Sequence, residues 1–138
     1  MVEPSGFLKV MDFGIARLAV EPAAAADRAT LTAAGSVVGS PDYMAPEQML
    51  GEEVDARTDI YSAGAVLFEC LTGRRVFEGA TVYDLLRKHL EHAPTDPREI
   101  VPEVPEPLAR AVLKALAKEP KDRWPSALAF HDALAELA

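Results

Sequence analysis

The sequence predicts a mainly α-helical domain that opens on one short β-hairpin. Three observations predict it. Between Ile60 and Leu71 only Ser62 and Glu69 are clearly polar, an apolar run of helical length. The later stretches Pro107 to Lys118 and Pro125 to Leu137 repeat apolar residues at helical spacing behind a leading proline. At the start, Glu3-Pro4-Ser5-Gly6 carries turn chemistry and runs into Phe7-Leu8-Lys9-Val10-Met11, which reads as a strand.

The incoming strand of that hairpin has only Met1 and Val2 before the turn, so the chain is expected to begin partway through a strand. From Ile15 to Val38 the periodicity fades. Glu21-Pro22-Ala23-Ala24-Ala25-Ala26-Asp27 lacks an amphipathic face, and the stretch reads as a mobile loop carrying the hydroxyls Thr30, Thr32 and Ser36. Pro46 to Gly51 reads as a one-turn helix started by proline and stopped by glycine.

The apolar run from Ile60 to Leu71 follows, with Asp59 as its candidate cap and Thr72-Gly73 as its stop. A helix apolar on nearly all sides is expected to be buried on nearly all sides. Thr81 to about His92 is the next helix, with Val82, Leu85, Leu86 and Leu90 apolar and Thr81 as its cap. Residues 93–105 hold Pro94, Pro97, Pro102 and Pro105 and are expected to form an extended connector. Two helices close the chain. The first presents Leu108, Ala111, Val112, Ala115 and Leu116, the second Leu128, Ala129, Phe130, Leu134 and Leu137. The prediction is thus four to five helices after the loop.

Composition narrows the function classes. At 138 residues, 49% hydrophobic and 26% charged, the chain is one folded domain with a real core rather than a disordered segment. Its net charge of -8 argues against a nucleic-acid surface, which needs clustered positive charge. The single cysteine, Cys70, excludes an internal disulfide framework and fits a reducing, cytoplasmic setting. Lying in an apolar run, it reads as structural rather than as a catalytic thiol. The acidic start has no signal-peptide pattern, and no apolar stretch reaches the roughly 18 residues of a membrane span. His89 and His92 stand three apart on a helix, but neither Cys nor a third His lies at metal-ligand spacing, so an exposed polar face is expected. His131 carries no chemistry, and no internal repeat is visible.

Two short motifs bracket the loop. Asp12-Phe13-Gly14 is a plausible divalent-metal corner: a carboxylate with hard oxygen ligands, an aromatic anchor and a glycine that permits the bend. Gly39-Ser40-Pro41-Asp42-Tyr43-Met44-Ala45-Pro46-Glu47 closes the stretch. Together, in this order and around a Thr-bearing loop, they resemble the activation segment of a eukaryotic-type protein kinase, in a bacterial-style Ser/Thr version.

The resemblance runs from about Val2 to the chain end and carries several implications. The fold would be a kinase-like C-terminal lobe, divided into residues 2–14 (hairpin and metal motif), 15–47 (activation segment) and 48–138 (helical lobe). Asp12 would hold Mg²⁺ with ATP, and Phe13 and Gly14 would open the activation segment. Thr30 and Thr32 first, and Ser36 less so, would receive regulatory phosphates, which order such loops through Arg contacts; Arg17 is a possible partner. Gly39 and Ser40 would face a protein substrate, Ser40 standing where such kinases usually have Thr. Tyr43-Met44-Ala45 resembles Ser/Thr-specific rather than tyrosine-specific members. In the family an aspartate at the position of Asp59 bonds amides of the catalytic loop. An arginine before an aromatic, here Arg123-Trp124, pairs there with the glutamate of Ala-Pro-Glu, which is Glu47.

A working kinase also needs a Gly-rich loop, a strand lysine, a catalytic-loop aspartate and an asparagine for a second magnesium. None is found here, and all would lie before Met1. The expectation is therefore a lobe that binds Mg²⁺ and ATP only weakly, transfers nothing by itself, and works with a missing N-terminal portion on protein substrates. Leaving two or three large side chains of the central helix uncovered forgoes about 1.5–3 kcal/mol each. Total stabilities are about 5–15 kcal/mol, so marginal stability or self-association is expected. The alternative function is a stand-alone, kinase-like module that docks other proteins through the helix from Thr81 and the 39–47 segment.

Overall fold

The computed structural model describes residues 41–137. The expected hairpin, the metal corner and the loop hydroxyls lie outside them. Among the described residues there are six α-helices and no strand. They are α1 Pro46–Leu50, α2 Ala56–Thr72, α3 Val82–Glu91, α4 Pro97–Ile100, α5 Glu106–Ala115 and α6 Ala127–Ala135. Single 3₁₀ turns cover Pro41–Tyr43 and Pro120–Asp122.

Local chemistry sets most of these boundaries. In α1, proline at the first position costs no hydrogen bond, and Gly51 ends the helix in the left-handed region at φ 67°. Gly73 ends α2 the same way, its N–H donating to the Glu69 carbonyl at 2.8 Å. Thr81 caps α3 by accepting from the Asp84 amide at 3.1 Å. Ser126 caps α6 through the Ala129 amide at 3.1 Å.

Two expectations need correction here. Asp59 is not the cap of the central helix. That helix begins at Ala56, and Asp55, extended at φ -134°, accepts from the Arg57 amide at 2.7 Å. Asp59 lies exposed in the first turn. The connector 93–105 is not wholly extended either. Asp96 caps the short helix α4 through the Arg98 amide at 2.9 Å, and Pro97 starts it. The prolines that argued for an extended chain also suit a first helical position.

α2 is the packing centre. Helix α5 crosses it where Gly64 faces Ala115, and α6 lies against both. Tyr61, Ala65 and Phe68 of α2 form one core with Leu85 of α3 and Val112 and Leu116 of α5. Ile60 joins Ala111, Ala115 and Phe130 in a second. Burial all round is not reached: Asp59, Ala63, Val66 and Cys70, spaced four, three and four apart, form an exposed stripe along one side of α2. Leu128 and Leu137 of the last apolar set are also exposed. No described helix is long and apolar enough to cross a membrane.

Candidate functional site

Of the 39–47 segment, expected from the sequence to face a substrate, Pro41 to Glu47 is described. A 3₁₀ turn leads through Met44 and Ala45 into α1, which fixes the direction in which Glu47 leaves the backbone. The Ala45 amide donates to Gln48 Oε1 at 3.0 Å, which steadies the entry to the helix. Ala45, Pro46 and Glu47 are all buried, so the segment ends inside the lobe rather than on it.

The burial of Glu47 is possible because Arg123 meets it. Arg123 Nη1 donates to Glu47 Oε1 and Nη2 to Oε2, both at 2.7 Å, across a sequence separation of 76. Both side chains are essentially out of solvent, at 0% and 3% exposure for Arg123 and Glu47. The remaining three donors of the guanidinium are also used. Nη1 reaches the Arg57 carbonyl at 2.9 Å, Nη2 the Lys118 carbonyl at 2.8 Å, and Nε the Ala117 carbonyl at 2.8 Å. All five N–H groups of the fork are satisfied. Thr58 Oγ1 adds a bond to Glu47 Oε1 at 2.7 Å. Burial works to raise the Glu47 carboxyl, but the bonds from Arg123, its backbone and Thr58 outweigh it and hold the group below its usual range.

The arginine also stands 5.0 Å from the ring of Tyr61, which extends the site. Burial pushes the Tyr61 hydroxyl up, so it stays protonated. That hydroxyl bonds His89 Nδ1 at 2.9 Å, and Lys118 Nζ donates to the His89 carbonyl at 2.6 Å. His89 is fully buried, which corrects the exposed face expected for the two histidines; only His92 is exposed. Burial, then the Lys118 ammonium, lowers the His89 ring to about 4. Burial, then Arg123, lowers Lys118 to about 8.

The outer end of the segment is tied to the helices as well. Tyr43 Oη donates to Glu69 Oε2 at 2.6 Å, and Ser62 Oγ donates to the Tyr43 carbonyl at 2.9 Å. The bond to Glu69 is the chief reason the Tyr43 hydroxyl is raised. Asp42 pairs with Arg75 at 2.9 Å. A groove of about 620 Å³ beside this turn is lined by Asp42, Glu69, Arg75, Thr81 and Val82, among others.

Of the residues singled out in the sequence, the structure brings Glu47 and Arg123 together and leaves Asp59 exposed, away from that cluster's interior. Asp12, Phe13, Gly14, Thr30, Thr32, Ser36, Gly39 and Ser40 lie outside the described residues. Among the described residues no group of three or more His, Cys, Asp or Glu side chains converges on a cation position. Thr58, Tyr61, Glu69, His89 and Lys118 were not anticipated as parts of the site. A signal existed for His89: it is four residues past Leu85 and flanks Leu90, on the apolar side of α3.

Similarity to known proteins fits this geometry. The family model for the protein kinase domain matches residues 1–134. Serine/threonine-protein kinase Pkn1 of Myxococcus xanthus is 43% identical over 128 residues, covering 93% of this chain and 18% of that protein. Serine/threonine-protein kinase PknB of Mycobacterium leprae is 40% identical over 127 residues, covering 92% and 20%. Tyrosine-protein kinase MasK of Myxococcus xanthus is 44% identical over 129 residues, covering 94% and 19%. The chain thus spans about a fifth of the length of these relatives. With nearly its whole length matched, and Glu47 locked to Arg123, the chain belongs to the protein kinase domain family.

Proposed function

We propose that this chain is the substrate-facing C-terminal part of a Ser/Thr protein kinase, which moves the γ-phosphoryl group of ATP to protein hydroxyls. The observation that carries the reading is the buried Glu47–Arg123 pair, which anchors the end of the 39–47 segment to the helical lobe. Tyr43 and Asp42, tied to α2 and Arg75, hold the outer part of the same segment. In this reading Gly39 and Ser40 position the acceptor, Asp12 is the residue for Mg²⁺, and phosphates on Thr30, Thr32 or Ser36 set activity. In this reading the described lobe contributes positioning, and among the described residues no group of three or more His, Cys, Asp or Glu side chains converges on a cation position. The choice of Ser/Thr over Tyr acceptors rests on the wording Tyr43-Met44-Ala45, because similar relatives carry both descriptions.

The reading is tested on the native gene product, sized with an antibody to residues 106–138 and assayed with labelled ATP. A product well above 14.9 kDa that labels Ser or Thr, and loses labelling with Asp12→Asn, supports it. A product at 14.9 kDa without transfer overturns it in favour of a protein-docking module. That second reading is favoured by one observation: Val82 and Tyr83 of α3 are 50% and 78% exposed, on the helix it would use.

A further inference from the structure

We propose that His89 is a pH-sensitive latch, whose neutral ring holds α3 against α2 and the turn Pro41–Tyr43 and whose protonation releases it. The surroundings favour a neutral ring. Nδ1 is engaged by the Tyr61 hydroxyl at 2.9 Å, while Nε2 is buried with no partner among the described residues. The edge of the Phe77 ring lies against the imidazole, with centroids 4.9 Å apart. When Tyr61 donates to Nδ1, the ring proton sits on Nε2. A second proton forces Nδ1 to donate, so the Tyr61 hydroxyl must turn round, and the cation is then enclosed.

The charged neighbours do not repair this. Beyond the end of α5, Lys118 bonds the His89 carbonyl, and Arg123 stands 5.0 Å from the Tyr61 ring. Asp42 of the 3₁₀ turn pulls the other way, through its backbone and through a carboxylate already paired with Arg75, but both effects are smaller than burial and Lys118; Glu47 of α1 is paired with Arg123. On α3 itself Asp84 pairs with Arg87 and Lys88, while Glu91 and His92 are exposed at its end.

The sign follows from the ring's preference for the neutral form. Released, the imidazole binds a proton near its ordinary 6.5; docked, it does so only near 4. Between those values the released state holds more protons, so docking of α3 strengthens as pH rises and is constant above about 6.5. Carboxylates titrate at the lower edge of this range, and the comparison from pH 7 to pH 5 lies mostly above them. α3 also packs on α1 and the turn, so release would loosen the 41–47 segment. Only that last consequence depends on the kinase reading.

Hydrogen exchange of the α3 amides in the full chain, corrected for intrinsic rates, tests the latch without any assay of transfer. Protection is expected to fall about twentyfold from pH 7 to pH 5 in the wild type. His89→Gln keeps an acceptor for Tyr61 and does not titrate, so its protection should be flat. A flat wild type, or an unchanged slope in the variant, overturns the proposal. Should the variant fail to fold, the wild-type ring decides by NMR. A neutral His89 at pH 5.5 is expected, and an imidazolium there with α3 still protected overturns it.

Discussion

Arg123 and Glu47 share two parallel hydrogen bonds of 2.7 Å in a place that water does not reach. Removing either partner strands the other charge, which costs about 3–5 kcal/mol. Arg123→Lys is expected to behave as a loss as well, because an ammonium cannot span both carboxylate oxygens and three carbonyls. Urea unfolding of Glu47→Gln, Arg123→Lys and the double variant checks this. The expected outcome is a double variant far less destabilised than the sum; strict additivity would show that the two residues act separately.

Gly64 is held to its size by α5. A β-carbon there would stand 2.8 Å from that of Ala115, with the Ala115 carbonyl carbon at 3.5 Å. Neither atom can rotate away, so the helices must part. Gly64→Ala should therefore destabilise by about 1–3 kcal/mol, despite the roughly 1 kcal/mol that alanine gains in a helix interior. Adding Ala115→Gly should recover most of the loss in thermal denaturation. A stabilised single variant would contradict the close crossing.

The start of α2 separates two aspartates that look alike in sequence. Asp55→Ala removes the cap and should cost about 1 kcal/mol. Asp59→Ala, one turn further in, should cost only a few tenths through the helix dipole. Equal losses in denaturant titrations would return the cap to Asp59.

Lys118 gives an alkaline signature. Its ammonium is lowered to about 8 against an ordinary 10.5, first by burial and then by Arg123. Between those values the unfolded chain holds the extra proton, so stability from this group rises with pH. Tm measured from pH 8 to pH 9.5 should climb more in the wild type than in Lys118→Met. Parallel curves would remove Lys118 from the buried network.

What the sequence displayed plainly was local chemistry. Thr81 before α3, Pro46 and Gly51 around α1, and Gly73 after α2 act within a few residues, so the letters suffice. Arg123 and Glu47 were legible for another reason: the motifs around them have a recognisable order. The misreadings all involve context. Asp96 and Asp55 cap helices beside residues that signal a loop or continue a helix equally well. His89 looked polar because its type is polar, although its position on α3 is that of an apolar residue. An uncovered side of the central helix was expected, but not that it would run along Asp59, Ala63, Val66 and Cys70, since an apolar run does not state which side is covered. Asp12 and the loop hydroxyls carry a family pattern whose chemistry lies beyond residues 41–137.

The span between Glu47 and Arg123 also has a meaning in time. A chain made at about 5–20 residues per second reaches position 123 roughly 4–15 s after position 47. Until then the carboxylate of Glu47 has no guanidinium to meet, and the turn of α1 around it cannot be sealed. Closing the segment therefore waits on the last eighth or so of the chain. A product cut short before Arg123 keeps every residue of the segment and of α2, yet has nothing with which to close them.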